Sequence, residues 1–371
     1  MSAPGTSATS PGASGASATS SGASVADVAA PPLAGLTTLR VGGPPRRAAV
    51  ATTRAELVEA VAAADAAGEP VLLVGGGSNL LVADAGFAGT LVLVRTRGVE
   101  RESADACGGV FLRVAAGEDW DALVALTVAN GWSGLEAMSG VPGSTGATPV
   151  QNVGAYGSEV SDTLASVLTW DRAEGRLRTF AAADCRFGYR TSRFKTEPGR
   201  YVVLEVVFQL READLSAPVR YAELARVLGV QVGQRAPLAA VRDAVLGLRR
   251  AKGMVVDAAD PDTWSTGSFF TNPVLDAAAA AALPEGAPRF DAGDGRVKTS
   301  AAWLVEHAGF PRGTGLPGPA SISTKHTLAL TNRGGATAED VLALARRVRD
   351  GVRERFGVEL VPEPDLVGCG L

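Results

Sequence analysis

Two stretches of this 371-residue chain are built from residues that do chemistry with their backbone. Residues 134–159 hold six glycines (at 134, 140, 143, 146, 154 and 157), two prolines, and small hydroxyl or amide side chains. Such a segment can adopt positive φ and present bare N–H groups to a ligand. A flexible linker is polar and repetitive, whereas this run interleaves Val141, Val150, Val153 and Tyr156, which want burial, so it reads as a ligand-wrapping segment. The second stretch is Gly75-Gly76-Gly77-Ser78-Asn79. On its residues alone it is either a turn whose main-chain donors meet a phosphate or a plain tight turn. It matches neither the P-loop pattern nor Gly-x-Gly-x-x-Gly, and apolar Leu80-Leu81-Val82 follows where those motifs need a helix, so the P-loop and Rossmann readings fail. Together, two such loops can clamp a long pyrophosphate cofactor. Side-chain chemistry concentrates in a basic and aromatic run at residues 185–195.

The elements that must position these residues follow from local signals. Thr53 and Glu56 form a capping box for an Ala-rich helix stopped by Gly68, and a fully apolar strand at 71–74 runs into the glycine turn. Strands are expected at 91–94 and 110–114. Glu118 or Asp119 can cap a helix carrying Trp120, Leu123, Val124 and Val128, ended by Asn130-Gly131. Further strands are expected at 167–171, 176–180 and 201–210. Beyond residue 212 lie an amphipathic helix at 238–250 and a long helix capped by Thr337 with Asp340 and closed by Gly357. Order is expected from about Leu36. The division is a disordered tail over 1–35, two subdomains over 36–97 and 98–213, and a separate α+β domain over 214–371.

Composition excludes several classes of function. Lys plus Arg (35) nearly balance Asp plus Glu (39), so nothing advertises nucleic acid or an acidic membrane surface. Cys107, Cys185 and Cys369 are scattered, which argues against a disulfide framework or a zinc site, and a reducing cytoplasm fits. His307 and His326 are the only histidines, too few for a histidine-rich metal centre, and no metal is expected. No apolar run is long enough to span a membrane, and the first 30 residues are neither signal nor transit peptide. A monomer is expected.

Six collinear motifs carry a resemblance. Val-Gly-Gly-Gly-Ser-Asn-Leu-Leu, Gly-Val-Pro-Gly-Ser-x-Gly-Ala, Gln-Asn-Val-Gly-Ala-Tyr-Gly, Phe-Gly-Tyr-Arg-x-Ser-x-Phe-Lys, Gly-Ser-Phe-Phe-x-Asn-Pro and Pro-Glu-Pro-Asp run in order from about Leu36 to Gly368. The chain resembles the UDP-N-acetylenolpyruvoylglucosamine reductases, the MurB family, type I-like. The resemblance implies an α+β fold: an FAD-binding domain of the vanillyl-alcohol-oxidase (PCMH) type in two subdomains, plus a C-terminal substrate-binding domain. It implies bound FAD, NADPH as co-substrate and a UDP-sugar substrate, with reduction of an enolpyruvyl ether to UDP-N-acetylmuramate in peptidoglycan precursor synthesis. FAD would be held by Gly75, Gly76, Gly77, Ser78 and Asn79 and by Pro142, Gly143, Gly146, Ala147, Thr148, Gln151, Asn152, Gly154 and Ala155.

The same resemblance implies the catalytic set. Arg190 would hold the substrate carboxylate, as suits a planar, permanently charged guanidinium. Ser268 would donate a proton to carbon, which a feeble acid can do only against a very basic carbanion at contact distance. Glu363 would assist charge at the carboxylate; if it acts protonated, burial has to raise its pKa. Tyr189, Tyr221, Lys252, Asn272 and His326 would contact substrate. Taken alone, these are a salt-bridged arginine, a turn serine, a solvated carboxylate and ordinary surface or structural groups. Two rivals stay open: another oxidoreductase of the same flavin-binding fold, and a catalytically silent flavin- or nucleotide-binding module. Arg190, Ser268 and Glu363 discriminate against both. Thr271, where some relatives carry lysine, and the Gly- and Pro-rich residues 313–319 depart from the pattern.

Overall fold

The computed structural model describes residues 1–2, 27–28, 30–105 and 109–371. Most of the expected tail, and Cys107, lie outside these. Order begins earlier than the expected Leu36: Asp27–Val28 pairs antiparallel with Ala48 and Ala49, and Leu33, in the turn Leu33–Gly35, is fully buried.

The first sheet joins Pro45–Ala51, Phe87–Val94 and Val71–Val74 in parallel. The helix Arg54–Ala66 crosses between them, started by the Thr53–Glu56 capping box, and its Leu57, Ala60 and Val61 are buried. The second sheet is antiparallel, in the order Arg176–Ala181, Leu164–Asp171, Tyr201–Glu212, Gly109–Ala115, Val99–Asp105. Asp119 caps the helix Trp120–Ala129, its side chain accepting from Ala122 N at 2.8 Å. One core runs between the two sheets: Val92 and Val94 of the first share it with Val110, Leu112, Val114 and Phe208 of the second and with Trp120 at the start of the helix.

A second, smaller core holds Leu33, Ala48, Val74, Val82, Leu91 and Leu93, and a third gathers around the helices Ala301–His307 and Ala338–Phe356, the latter with the Thr337–Asp340 capping box and Gly357 in left-handed conformation at its end. This mixed helix and strand content is α+β. Packing crosses the expected divisions. Leu39, Val41 and Leu81 belong to the third core, and the strand Asp365–Val367 pairs in parallel with Leu80–Val82 directly after the glycine turn. The helix Leu238–Ala251 is tied to the helix Trp120–Ala129 by a two-pronged ion pair, Arg242 to Asp121 at 2.6 and 2.9 Å. Among the described residues no helix is long and apolar enough to cross a membrane.

Candidate active site

A cleft of about 410 Å³ runs between the two glycine stretches and the segments that carry Arg190, Ser268 and Glu363. The glycine stretches press against each other. A Cβ on Gly76 would sit 2.5 Å from Gly143 Cα, and Ser78 Oγ donates to Pro142 O at 3.0 Å. Gly77 has φ +61°, and a Cβ there would strike the Leu36 carbonyl. The first reason for glycine at these positions is therefore this close approach of backbone to backbone. Its result is a wall of free donors: the N–H groups of Gly76, Gly77, Ser78, Gly143 and Ser144 bond to no acceptor among the described residues. Adjacent N–H groups of this kind form a nest for an anion. Leu73, Val94, Val141, Val150, Val153 and Val203 give the same cleft apolar sides. The buried Thr266 Oγ1 on its wall has no partner among the described residues. Apolar sides, a phosphate nest and orphaned polar atoms fit a large dinucleotide such as FAD.

Of the expected cofactor residues, Gly75, Gly76, Gly77, Ser78, Asn79, Pro142, Gly143, Gly146, Ala147, Thr148, Gln151 and Gly154 line the cleft. Asn152 and Ala155 do not. Asn152 is buried with φ 48°, donates to Glu159 Oε2 at 2.8 Å and Gly188 O at 3.2 Å, and accepts from Ser161 N, so it staples the 134–159 stretch to the run before Arg190. Ala155 packs against the central core.

Arg190, Ser268 and Glu363 all reach the cleft. Arg190, at φ 51°, donates from Nη2 to Gly154 O at 2.9 Å, and its Nε forms an ion pair with Glu363 Oε1 at 3.1 Å without hydrogen-bond alignment. Gly154 has to be small here, since a Cβ would lie 2.8 Å from Glu159 Cγ and 3.3 Å from Arg190 Nη1. The Ser268 loop runs antiparallel beside the Glu363 segment: Glu363 N donates to Phe269 O at 2.9 Å and Thr271 N to Val361 O at 3.0 Å, while Phe269 and Phe270 anchor the loop in the third core. The Ser268 hydroxyl has no hydrogen bond among the described residues. Burial pushes the Glu363 carboxyl up, more than the neighbouring Arg190 and Lys195 cations pull it down.

The expected substrate residues fall outside this wall, in two groups. Tyr189 stands beside Arg190, with Lys298 Nζ 4.8 Å over its ring and its hydroxyl 3.4 Å from Asn272 N. The Asn272 side chain is occupied, its Oδ1 accepting from Ala301 N at 2.9 Å at the start of a helix. Farther along, Tyr221 meets Tyr156 edge-on at 5.4 Å, and Lys252 pairs with Glu223 at 2.5 Å. Burial pulls the Lys252 ammonium down, but the Glu223 carboxylate holds it above the usual lysine value. His326 accepts from Leu328 N at 3.1 Å, and burial, helped by Lys252 and Arg249, lowers its pKa to about 4, so it is neutral near pH 7.

Comparison with known proteins decides the family. A model of the UDP-N-acetylenolpyruvoylglucosamine reductase C-terminal domain matches residues 260–367, and an FAD-binding-domain model matches residues 45–181. A UDP-N-acetylenolpyruvoylglucosamine reductase from Cutibacterium acnes is 55% identical over 340 residues, 91% of this chain and 89% of its own. One from Streptomyces coelicolor is 57% identical over 351 residues, 92% and 90% of the two chains. The chain belongs to the UDP-N-acetylenolpyruvoylglucosamine reductase family. A crystal structure of the reductase (MurB) from Thermus caldophilus superposes with a TM-score of 0.62 at 26% identity, covering 92% of this chain and 98% of that one. Within this reductase frame the FAD-binding match spans both glycine stretches, and the C-terminal match spans Ser268, Asn272, His326 and Glu363. Arg190, Tyr221 and Lys252 fall between the two matches. Three further charged residues on the cleft wall have no role assigned from sequence: Lys195, Arg249 and Asp365. Lys195 and Asp365 each close a motif quoted for the resemblance, which was the available signal; Arg249, three residues before Lys252, had none. Among the described residues no cluster of three or more His, Cys, Asp or Glu is placed to hold a metal.

Proposed function

We propose that this reductase binds FAD along the two glycine stretches and uses NADPH to reduce the enolpyruvyl group of UDP-N-acetylglucosamine enolpyruvate to UDP-N-acetylmuramate, as a cytoplasmic step of peptidoglycan precursor synthesis. The observation that carries the reading is the meeting, in one cleft, of a backbone phosphate nest with Arg190, Glu363 and the unpartnered Ser268 hydroxyl. When bound, FAD supplies the hydride that the methylene carbon of the enol ether accepts. The remaining work falls to the chain. Arg190 binds the substrate carboxylate and steadies the negative charge that develops on the adjacent carbon, in a site where burial strengthens the interaction. Ser268 gives its hydroxyl proton to that carbon, which is basic enough to take it only at contact distance. Glu363, with its carboxyl pushed up by burial, stands by Arg190 to assist charge at the same carboxylate. The N–H groups of residues 76–78 and 143–144 hold the cofactor diphosphate, with Gln151 and Gly154 on the same wall and Asn152 and Ala155 supporting from behind. Tyr221, Lys252 and His326 then serve the nucleotide end of the substrate, where Lys252 exchanges Glu223 for phosphate, and Tyr189 and Asn272 serve the enolpyruvyl end.

A purified protein carrying a flavin absorption band, and NADPH oxidation that requires the enolpyruvyl substrate, is the expected result. A protein that cannot be reconstituted with FAD overturns the reading.

A further inference from the structure

Lys195 reaches the same cleft from the short turn of helix Arg193–Thr196, and nothing above uses it. Its backbone is fixed. Ser192 Oγ accepts from Phe194 N at 3.1 Å and donates to Val150 O at 2.6 Å, and Phe194 is buried edge-on against Phe180 and Tyr201. From this turn Lys195 Nζ approaches Gln151 Oε1 at 3.4 Å and the main-chain oxygen of Glu363 at 3.5 Å, and it forms no ion pair among the described residues. Gln151 is shared further. Its Oε1 also accepts from Asn79 Nδ2 at 3.0 Å, its Nε2 lies 3.4 Å from Glu363 Oε1, and Asn79 Nδ2 itself reaches Glu363 O at 3.3 Å. An ammonium can only donate. With Lys195 and Asn79 both donating to one end of the Gln151 amide, that end has to be the oxygen, and the N–H₂ end faces the Glu363 carboxyl.

We propose that Lys195 is a positioning residue for the reaction, fixing the Gln151 amide and the Glu363 main chain and so holding the Glu363 carboxyl in the orientation and protonation state the chemistry needs. This rests on the reading that Glu363 acts in catalysis. The charged and titratable groups around that carboxyl are Arg190 and Tyr189 on the adjoining run, Lys195, and Asp365 two residues on. Burial raises both Glu363 and Asp365. Arg190 and then Lys195 oppose this at Glu363, and Lys195 opposes it at Asp365. Loss of the Lys195 charge therefore moves Glu363 titration to higher pH.

The test is the pH profile of single-turnover reoxidation of the NADPH-reduced, FAD-loaded enzyme by the enolpyruvyl substrate. Lys195→Met should shift the limb set by Glu363 upward by about one pH unit, and Lys195→Arg should restore it. Should Lys195→Met not fold, Lys195→Gln, which keeps polar contacts and removes the charge, should give the same shift. A Glu363→Gln control identifies the limb by abolishing it. If that control abolishes the limb and neither neutral variant moves it, the proposal is overturned and the reading of Glu363 stands. If the limb survives Glu363→Gln, the reading of Glu363 falls and the proposal falls with it.

Discussion

Along residues 76–78 and 143–144 the cleft wall offers free main-chain N–H groups; where Ser268, Arg190 and Glu363 line it, they come as side chains from three separate segments. The first wall is made by pressing two glycine runs together until Gly76 and Gly143 nearly touch, so it needs particular residues over a continuous stretch. The second is made by bringing single residues together across the fold: the Ser268 loop lies beside residues 361–363, and Arg190 is held between Gly154 and Glu363. A backbone wall can recognise what every diphosphate shares. A side-chain wall can place one acid and one cation against one reacting carbon. On the proposed function, the first belongs to binding the cofactor and the second to choosing the reaction.

That contrast can be broken experimentally. Ser268→Ala should lower reoxidation by the enolpyruvyl substrate by about 10³-fold, the range of a lost general acid, and leave reduction by NADPH unchanged in stopped-flow flavin absorbance. Equal loss in both halves would erase the distinction between the walls. Gly76→Ala should act on cofactor occupancy instead. Its Cβ meets the Gly143 backbone, and forced overpacking costs about 1–3 kcal/mol, equivalent to roughly 5–150-fold weaker FAD binding by equilibrium titration. With saturating FAD, the reoxidation rate should return towards the parent value; a persistent deficit would show that the walls are coupled. Arg242→Ala probes the tie beneath both, since Asp121 accepts from Arg242 and from Gly140 N at 2.6 Å. Burial pushes the Asp121 carboxyl up, but these donors leave it below the usual carboxylate range. The stabilisation is therefore present above the unfolded pKa of about 3.9 and lost as pH falls through the depressed folded value. The variant should lose about 1 kcal/mol at pH 7 in denaturant unfolding, and the difference should fade as pH falls below the unfolded carboxylate value of about 3.9.

The two walls also differ in how far they could be read from sequence. Glycine runs, the capping boxes at Thr53 and Thr337, and the Asp119 cap are local, and each formed where its residues stand. The other wall depends on approach across the chain. Ser268, Arg190 and Glu363 are commonplace residues until the fold brings them together, and it was their motifs, through the resemblance, that marked them. The parallel pairing of Asp365–Val367 with Leu80–Val82 carries no local signal, because each strand is only three residues long. The use of Asn272 as a helix-start acceptor is likewise set by a residue distant in sequence, whereas the left-handed backbone at Arg190 closes a local turn in which Gly188 and Thr191 bond to each other at 3.0 and 3.3 Å.

That short parallel pairing has a consequence in time. Asp365 N donates to Asn79 O at 2.9 Å, closing a loop around nearly all of the described chain. Closing so large a loop costs more chain entropy than the local helices and hairpins, and its reward comes only after they exist. During folding, the glycine turns can meet while the chain beyond them is still searching. The Glu363 segment is therefore expected to arrive late, and on the proposed function its arrival completes the catalytic wall.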